Sequence, residues 1–325
     1  MIKRILFRRE SALLLTLILL FSGFAYFTEG FLDAYNLLER CRYWTITGLV
    51  AVPMTFIIAT AGIDLSVGSI VGLSGIVLGL LYRDAGWPLV FAGSAAVLTG
   101  LAAGAFNGGI TSYIKVPPLV VTLATMALYS GMAVGLSKGE PIRNFPESFT
   151  WLSLGDAFEI PFGGSTVAFP VPLFALASVF AVGAVIFRRT WVGRFTECIG
   201  ENETASQFAA IDVGRMKLLL YTVTGLICGV TSIFYTALYA SARPDAGKGL
   251  ELDAIACVVV GGTRVSGGQG SVLGTLLGLL IIGILKYGLE MASVPSEQLV
   301  IYIGALLILM TIFNEWVASN RGAKS

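Results

Sequence analysis

The chain has 325 residues, 56% of them hydrophobic and 13% charged, where an ordinary soluble domain carries roughly 25% charge. With a mean hydropathy of +0.83 it has too little charge to clothe a globule of this size and reads as an integral membrane protein. A net charge of +1 gives no field for nucleic acid, and the absence of histidine excludes imidazole bases, ligands and proton relays.

Residues 1–10 carry Lys3, Arg4, Arg8 and Arg9 ahead of an apolar stretch. No small-residue cleavage site follows, so this reads as a retained first span. Charge-free runs then follow at 11–28, 43–63, 65–82, 85–114, 116–137, 160–187, 218–242, 254–263, 265–285 and 298–314. A spanning helix needs about 20 apolar residues, and all but 254–263 are long enough. The expectation is an all-α polytopic protein of about ten membrane segments, the eighth short or broken, with helices interrupted near Asp64 and Arg264.

Loop charge sets the orientation. With both termini inside, ten crossings place 13 of the 21 basic residues on the cytoplasmic side. That puts the loop 138–166 outside and the segment 188–217 inside. Neither is long enough for a separate domain, so 1–325 reads as one transmembrane unit. Four cysteines, Cys41, Cys198, Cys228 and Cys257, show no CxxC spacing and read as small buried thiols. The 39 glycines suit close helix packing in lipid.

No phosphate-cradling loop is present, because Gly247-Lys248 is followed by Gly249. No catalytic constellation or metal-ligand spacing is visible, so the chain reads as a non-enzyme that binds no cofactor. An intramembrane charge costs on the order of 2.5–3.5 kcal/mol on insertion scales. Asp64 is nearly alone in the apolar sequence, which disfavours a proton- or sodium-coupled carrier. A passive channel or a subunit driven by another protein remains.

Three stretches carry the reading. In Ala61-Gly62-Ile63-Asp64-Leu65-Ser66-Val67-Gly68-Ser69, Gly62 allows a chain break and Asp64 or Ser66 is placed to cap the next helix. Gly68 and Gly72 form a small-xxx-small face. The break either only caps or lines a translocation path. In the second stretch, Asn107 and then Thr122 and Thr125 are polar groups in apolar helices, on either side of Lys115-Val116-Pro117-Pro118. Thr122 can bond back to its own helix. Asn107 needs either a helix–helix bond or a solute. The third runs from Leu250-Glu251-Leu252-Asp253 to Gly261-Gly262-Thr263-Arg264-Val265-Ser266-Gly267-Gly268-Gln269-Gly270-Ser271, too glycine-rich for a regular helix and tolerable at membrane depth only where shielded.

These stretches resemble the permease subunits of ATP-binding-cassette importers for sugars, the ribose/xylose type that includes rhamnose and autoinducer-2 permeases. The resemblance covers roughly 45–315 and is weakest in 138–170 and at the termini. Branched-chain amino-acid permeases are similar more loosely. The resemblance implies a multi-pass bacterial inner-membrane subunit that moves a small sugar-like solute inward. Its implied partners are a second permease (identical or paralogous), a periplasmic solute-binding protein and cytoplasmic ATPase subunits, which use ATP and magnesium. Alternatives are a self-sufficient channel, or an importer permease for nucleosides or branched-chain amino acids.

Within 188–217, Gly193-Arg194, Gly200, Asn202, Ala205 and Ala209 match the family's ATPase-coupling segment. Thr204-Ala205-Ser206-Gln207 reads as a capping box for a short helix. The path candidates are Asp64, Ser66, Asn107, Thr122, Thr125, Arg264 and Gln269. The strings 61–69 and 261–269 share a pattern with opposite charges, which predicts that the two breaks meet and that Asp64 pairs with Arg264.

Overall fold

The computed structural model describes residues 9–162, 165–295, 298–299, 301–310 and 312. The basic N-terminal residues Lys3, Arg4 and Arg8, and the C-terminal Arg321 and Lys324, lie outside the described residues. The helices, in chain order, begin with α1 Arg9–Phe27, α2 Ala34–Ala59, α3 Val67–Arg83, α4 Leu89–Gly109, α5 Pro118–Ser137 and α6 Glu147–Leu154. A hairpin, β1 Asp156–Phe162 and β2 Ser165–Pro170, precedes α7 Val171–Arg189, α8 Trp191–Glu201, α9 Glu203–Phe208 and α10 Val213–Tyr239. α11 Leu250–Val260, α12 Val272–Met291 and α13 Ile301–Met310 complete the chain.

Each charge-free run overlaps one of these helices. Among the described residues, seven are long and apolar enough to cross a membrane: α1, α2, α4, α5, α7, α10 and α12. α3, α11 and α13 are shorter. α11 has 11 residues, a rise of about 16 Å, half of a bilayer core.

The run 160–187 does not form one helix as its composition suggests. Its first part belongs to the hairpin, with Ile160 opposite Val167 and Glu159 opposite Ala168. Pro161, Pro170 and Pro172 keep the helix from starting before Val171, because proline is tolerated only in its first turn. The hairpin is held by Arg42, a 4% exposed residue of α2. Its guanidinium donates to Ser153 O (2.7 Å), Gly155 O (3.0 Å), Asp156 Oδ1 (2.7 Å) and Glu39 Oε1 and Oε2 (2.9 Å each).

The bundle has two distinct ends. At the first, Ile142 bridges to Ala242, Tyr82 stacks on Phe145 and Arg40 pairs with Glu290 at 2.7 Å. At the second, the α2–α3 break, the α4–α5 turn, α8–α9 and the 261–271 loop come together. Lys115, 188–217 and Arg264, assigned to one side by charge, therefore share one end.

Glycine sets the helix spacing. A Cβ on Gly100 or Gly104 of α4 would collide with the α10 backbone at Gly225 and Tyr221, so the two axes approach as only small residues permit. Gly68 and Gly72 of α3 admit a loop instead of a helix. Ala246 and Gly247 lie against them, while Gly79, one end of the same row, touches Ala242. Eleven residues separate Gly79 from Gly68, so 242–247 descends about 16 Å along α3. Irregular backbone at membrane depth thus precedes α11 as well as following it. Cys41, Cys228 and Cys257 are buried as expected; Cys198 is exposed.

Candidate translocation site and coupling face

α2 ends where Thr60 and Ala61 donate back to the carbonyls of its last turn. Ala61, not Gly62, takes the left-handed turn (φ 60°). Gly62 is needed for space instead: a Cβ there would sit 3.1 Å from the Tyr221 hydroxyl. The expected cap also differs. Ser66 holds the N-cap position of α3 without a side-chain cap bond. Asp64 Oδ1 accepts from Ser66 N (2.9 Å) and from Ser66 Oγ (2.6 Å), a turn-type bond that ties the break together.

From this turn a polar chain runs across the bundle. Asn107 Nδ2 on α4 donates to Ser66 Oγ at 2.7 Å. The Tyr129 hydroxyl on α5 has Ala103 O (3.0 Å) and Asn107 Oδ1 (3.1 Å) within donating reach. Thr122 donates to Ile63 O, across to the break rather than to its own helix, and Thr125 donates to Thr122 O, each at 3.3 Å. Asp64, Ser66, Asn107 and Thr122 are completely buried. Five of the seven path candidates thus meet in one place, joining α3, α4 and α5. Asp64 Oδ2 and the Tyr221 hydroxyl are buried without a hydrogen-bond partner among the described residues. Sequence reading missed Tyr129 and Tyr221. A tyrosine in an apolar helix carries no signal of what its hydroxyl meets.

Arg264 and Gln269 stand apart from this cluster. Gln269 O accepts from Arg264 N at 3.1 Å within the loop, and Gln269 is exposed. Asp64 and Arg264 form no ion pair: Asp64 is completely buried at the α2–α3 turn, whereas Arg264 is half-buried in the 261–271 loop. The two breaks nonetheless meet, backbone on backbone. Gly268 N donates to Ala59 O at 3.0 Å, and a Cβ on Gly267 would lie 2.9 Å from Ala61 N and from Gly200 O. A Cβ on Gly200 would strike Ala59 O and Gly268 N. The C-terminal turn of α8 is therefore wedged against both breaks. Glu197, one turn earlier, accepts from Gly270 N at 3.4 Å, and burial raises its carboxyl above the usual range.

The rest of the segment faces outward. Gly193 is buried at the α7–α8 corner, where a Cβ would meet the Phe187 backbone, whereas Arg194, Asn202, Ala205 and Ala209 are exposed. α9 starts two residues before the expected capping box. Asn202 is its cap, in extended conformation, accepting from Ala205 N at 2.9 Å. Beside the small residues stands Phe208, 89% exposed, an apolar side chain outside the hydrophobic clusters of the described residues and one that small-residue spacing did not single out.

A polytopic helical bundle with irregular membrane-depth backbone, a buried interhelical polar cluster and an exposed segment wedged against both breaks defines a transport permease. The chain belongs to the family described as the branched-chain amino acid transport system / permease component, which matches residues 36–311. It is 35% identical over 96% of its length to the autoinducer 2 import system permease protein LsrD of Klebsiella pneumoniae, covering 94% of that protein. It is also 35% identical to the ribose import permease protein RbsC of Haemophilus influenzae, over 96% of this chain and 95% of that one. No solved structure matches the chain.

Proposed function

We propose that this chain is the membrane subunit of an ATP-binding-cassette importer that carries a small sugar or sugar-like solute inward. An ATPase in the cytoplasm drives it and a periplasmic binding protein feeds it. The observation that carries the reading is the junction of Gly200 with Ala59 and Gly268. A partner gripping α8–α9 through Phe208, Asn202, Ala205 and Ala209 would push directly on the end of α2 and on the 261–271 loop. A displaced α2 end moves the Asp64 turn, and with it the bonds to Asn107 and Thr122 that hold α3, α4 and α5 together.

In this reading the second end of the bundle is cytoplasmic, and the hairpin end receives the binding protein. Asp64, Ser66, Asn107, Thr122 and Thr125 form the gate of the path, with Arg264 and Gln269 on the loop that moves with it. ATP and magnesium belong to the partner. The solute class follows the ribose and autoinducer 2 named for the relatives. A second permease, identical or paralogous, completes the membrane unit.

The test is uptake of radiolabelled ribose, rhamnose and autoinducer 2 into proteoliposomes holding the permease with its ATPase and binding protein. ATP-dependent accumulation of one of them, absent without the ATPase, is the expected result. Equal flux through the permease alone would make it a facilitator.

A further inference from the structure

A row of charge runs down the bundle from the hairpin end. Arg243 and Asp245, each about half exposed, pair at 2.8 Å where the 242–247 loop starts along α3. Lys248 is exposed and acts electrostatically on both Asp245 and Glu251. Asp253 then pairs with Lys286 of α12 at 2.7 Å, the two side chains 29% and 32% exposed. Gly278 of α12 lies against the Cys257 carbonyl. Asp253, one turn of α11 nearer the hairpin end, therefore sits about 15 Å from either end of α12, the middle of a bilayer core.

Lipid cannot cover this row. A charge facing hydrocarbon costs on the order of 2.5–3.5 kcal/mol on insertion scales, and irregular backbone such as 242–249 does not face lipid tails. Nor does the fold close over it. Glu251 is half-buried: its Oε1 accepts from Gly249 N at 3.2 Å, while Oε2 lies beside Gly68 with no hydrogen bond among the described residues. Leu252, between the two carboxylates, is 64% exposed. Because the row continues to the exposed Arg243 and Asp245, water reaches down the face that lipid cannot occupy. The gate is different in kind, since Asp64, Ser66, Asn107 and Thr122 are completely buried and offer a solute no surface.

Aromatic rings stand at the head of the row. Tyr235 and Tyr239 lie with ring centroids 4.6 Å apart beside Arg243, and the Tyr235 hydroxyl meets the Gly247 amide. Carboxylates with open lone pairs and an ammonium complement a polyol, whose hydroxyls both donate and accept, and a tyrosine face suits its C–H side. We propose that this row is the wet wall of the solute path, on which a neutral polyol passes from Tyr239 and Tyr235 to Glu251 and the Asp253–Lys286 pair. The proposal rests on the importer reading for the solute, whereas the water access of the row does not depend on it.

Cysteine modification by a charged, water-soluble methanethiosulfonate tests the wall in membrane fragments holding the assembled transporter, where both faces are open to the reagent. Leu252→Cys in a Cys198→Ser background is expected to react at least about ten-fold faster than Leu128→Cys, a position 49% exposed on the charge-free α5. Equal rates would overturn the proposal. So would oxidative cross-linking of Leu252→Cys between two copies without prior reaction, which would make the row a protein contact. Glu251→Gln keeps an acceptor for Gly249 N. It should lower uptake of whichever of ribose, rhamnose and autoinducer 2 the unaltered complex accumulates by about ten-fold, one charge-assisted hydrogen bond's difference, with the melting temperature of the complex unchanged. Full uptake by this variant would remove the solute from the row. Modification needs no transport, so failure of the wall and failure of the importer reading are told apart.

Discussion

Gly200 of α8 lies against the carbonyl of Ala59, the last residue of α2, with no room for a side chain between them. The peptide of Gly268 fills the remaining side and donates to the same carbonyl at 3.0 Å. Three chain segments, far apart in sequence, are thus in rigid contact without an intervening rotamer to absorb motion.

Gly200→Val forces this contact open. The expected outcome is ATP hydrolysis by the assembled complex with solute uptake reduced at least ten-fold, measured together in proteoliposomes. Gly23→Ala is the control. No atom lies within 4 Å of its Cβ position, and removing a mid-helix glycine is expected to leave uptake unchanged and add about 0.5–1 kcal/mol.

Phe208 stands 89% exposed beside small residues, as an anchor for a groove on a partner does. Phe208→Ala is expected to weaken capture of the ATPase in pull-down by about ten-fold or more, a hot-spot loss of at least 1.4 kcal/mol. Thermal stability of the permease should stay within about 0.5 kcal/mol, as for other exposed substitutions. Asn202→Ala removes the cap of α9 and should cost about 1 kcal/mol locally, visible as faster hydrogen exchange over 203–209.

Much of this was legible beforehand. The string around Asp64 announced a break, and the polar residues Ser66, Asn107, Thr122 and Thr125, scattered over two of the three stretches, do converge. Most polar groups in apolar helices turn toward the bundle interior, where hydrogen-bond partners are found, so their burial was foreseeable. Their partners were not. Whether Thr122 bonds its own helix or Ile63 depends on an interhelical distance that glycine packing sets, and no sequence period reports it. The Asp64–Arg264 pair failed for a related reason. Similar strings correctly brought the two breaks together, but backbone contact at Gly267 and Gly268 left their charged side chains apart.

The polar chain should behave as one unit. Asn107→Ala leaves Ser66 Oγ and the Tyr129 hydroxyl each short of a partner, and should cost about 1–3 kcal/mol. Ser66→Ala should cost a similar amount. Because both act on the same bond, the double variant is expected to fall short of the sum by at least 0.5 kcal/mol in denaturation of the solubilised protein.

Arg42 draws Glu39, Asp156 and two carbonyls around one buried charge. Arg42→Ala leaves these acceptors unpaired. Glu39 and Asp156 are partly exposed and take water in its place, so the expected loss is about 1–3 kcal/mol, with limited proteolysis opening first at the hairpin. Arg42→Lys should rescue only part, since one ammonium cannot reproduce the guanidinium fork.

Glu197 adds a pH dependence of known sign. Its carboxyl titrates above the usual range because burial disfavours the charge, an effect the bond from Gly270 N partly opposes. A folded-state value above the unfolded one favours the native state at low pH, and this contribution is lost as pH rises through the folded value. Glu197→Gln keeps an acceptor for Gly270 N. It should therefore flatten the melting temperature against pH above the ordinary glutamate range without lowering it near neutrality.

The central claim is that the stretch around Asn202 and Phe208 faces the cytosol, where an ATPase drives the permease. Ala209→Cys in a Cys198→Ser background, where the remaining Cys41, Cys228 and Cys257 are buried, tests it with a membrane-impermeant maleimide in vesicles of both orientations. Labelling in inside-out vesicles alone, blocked by added ATPase, is the predicted result. Labelling in right-side-out vesicles would place the segment on the opposite face and contradict the account.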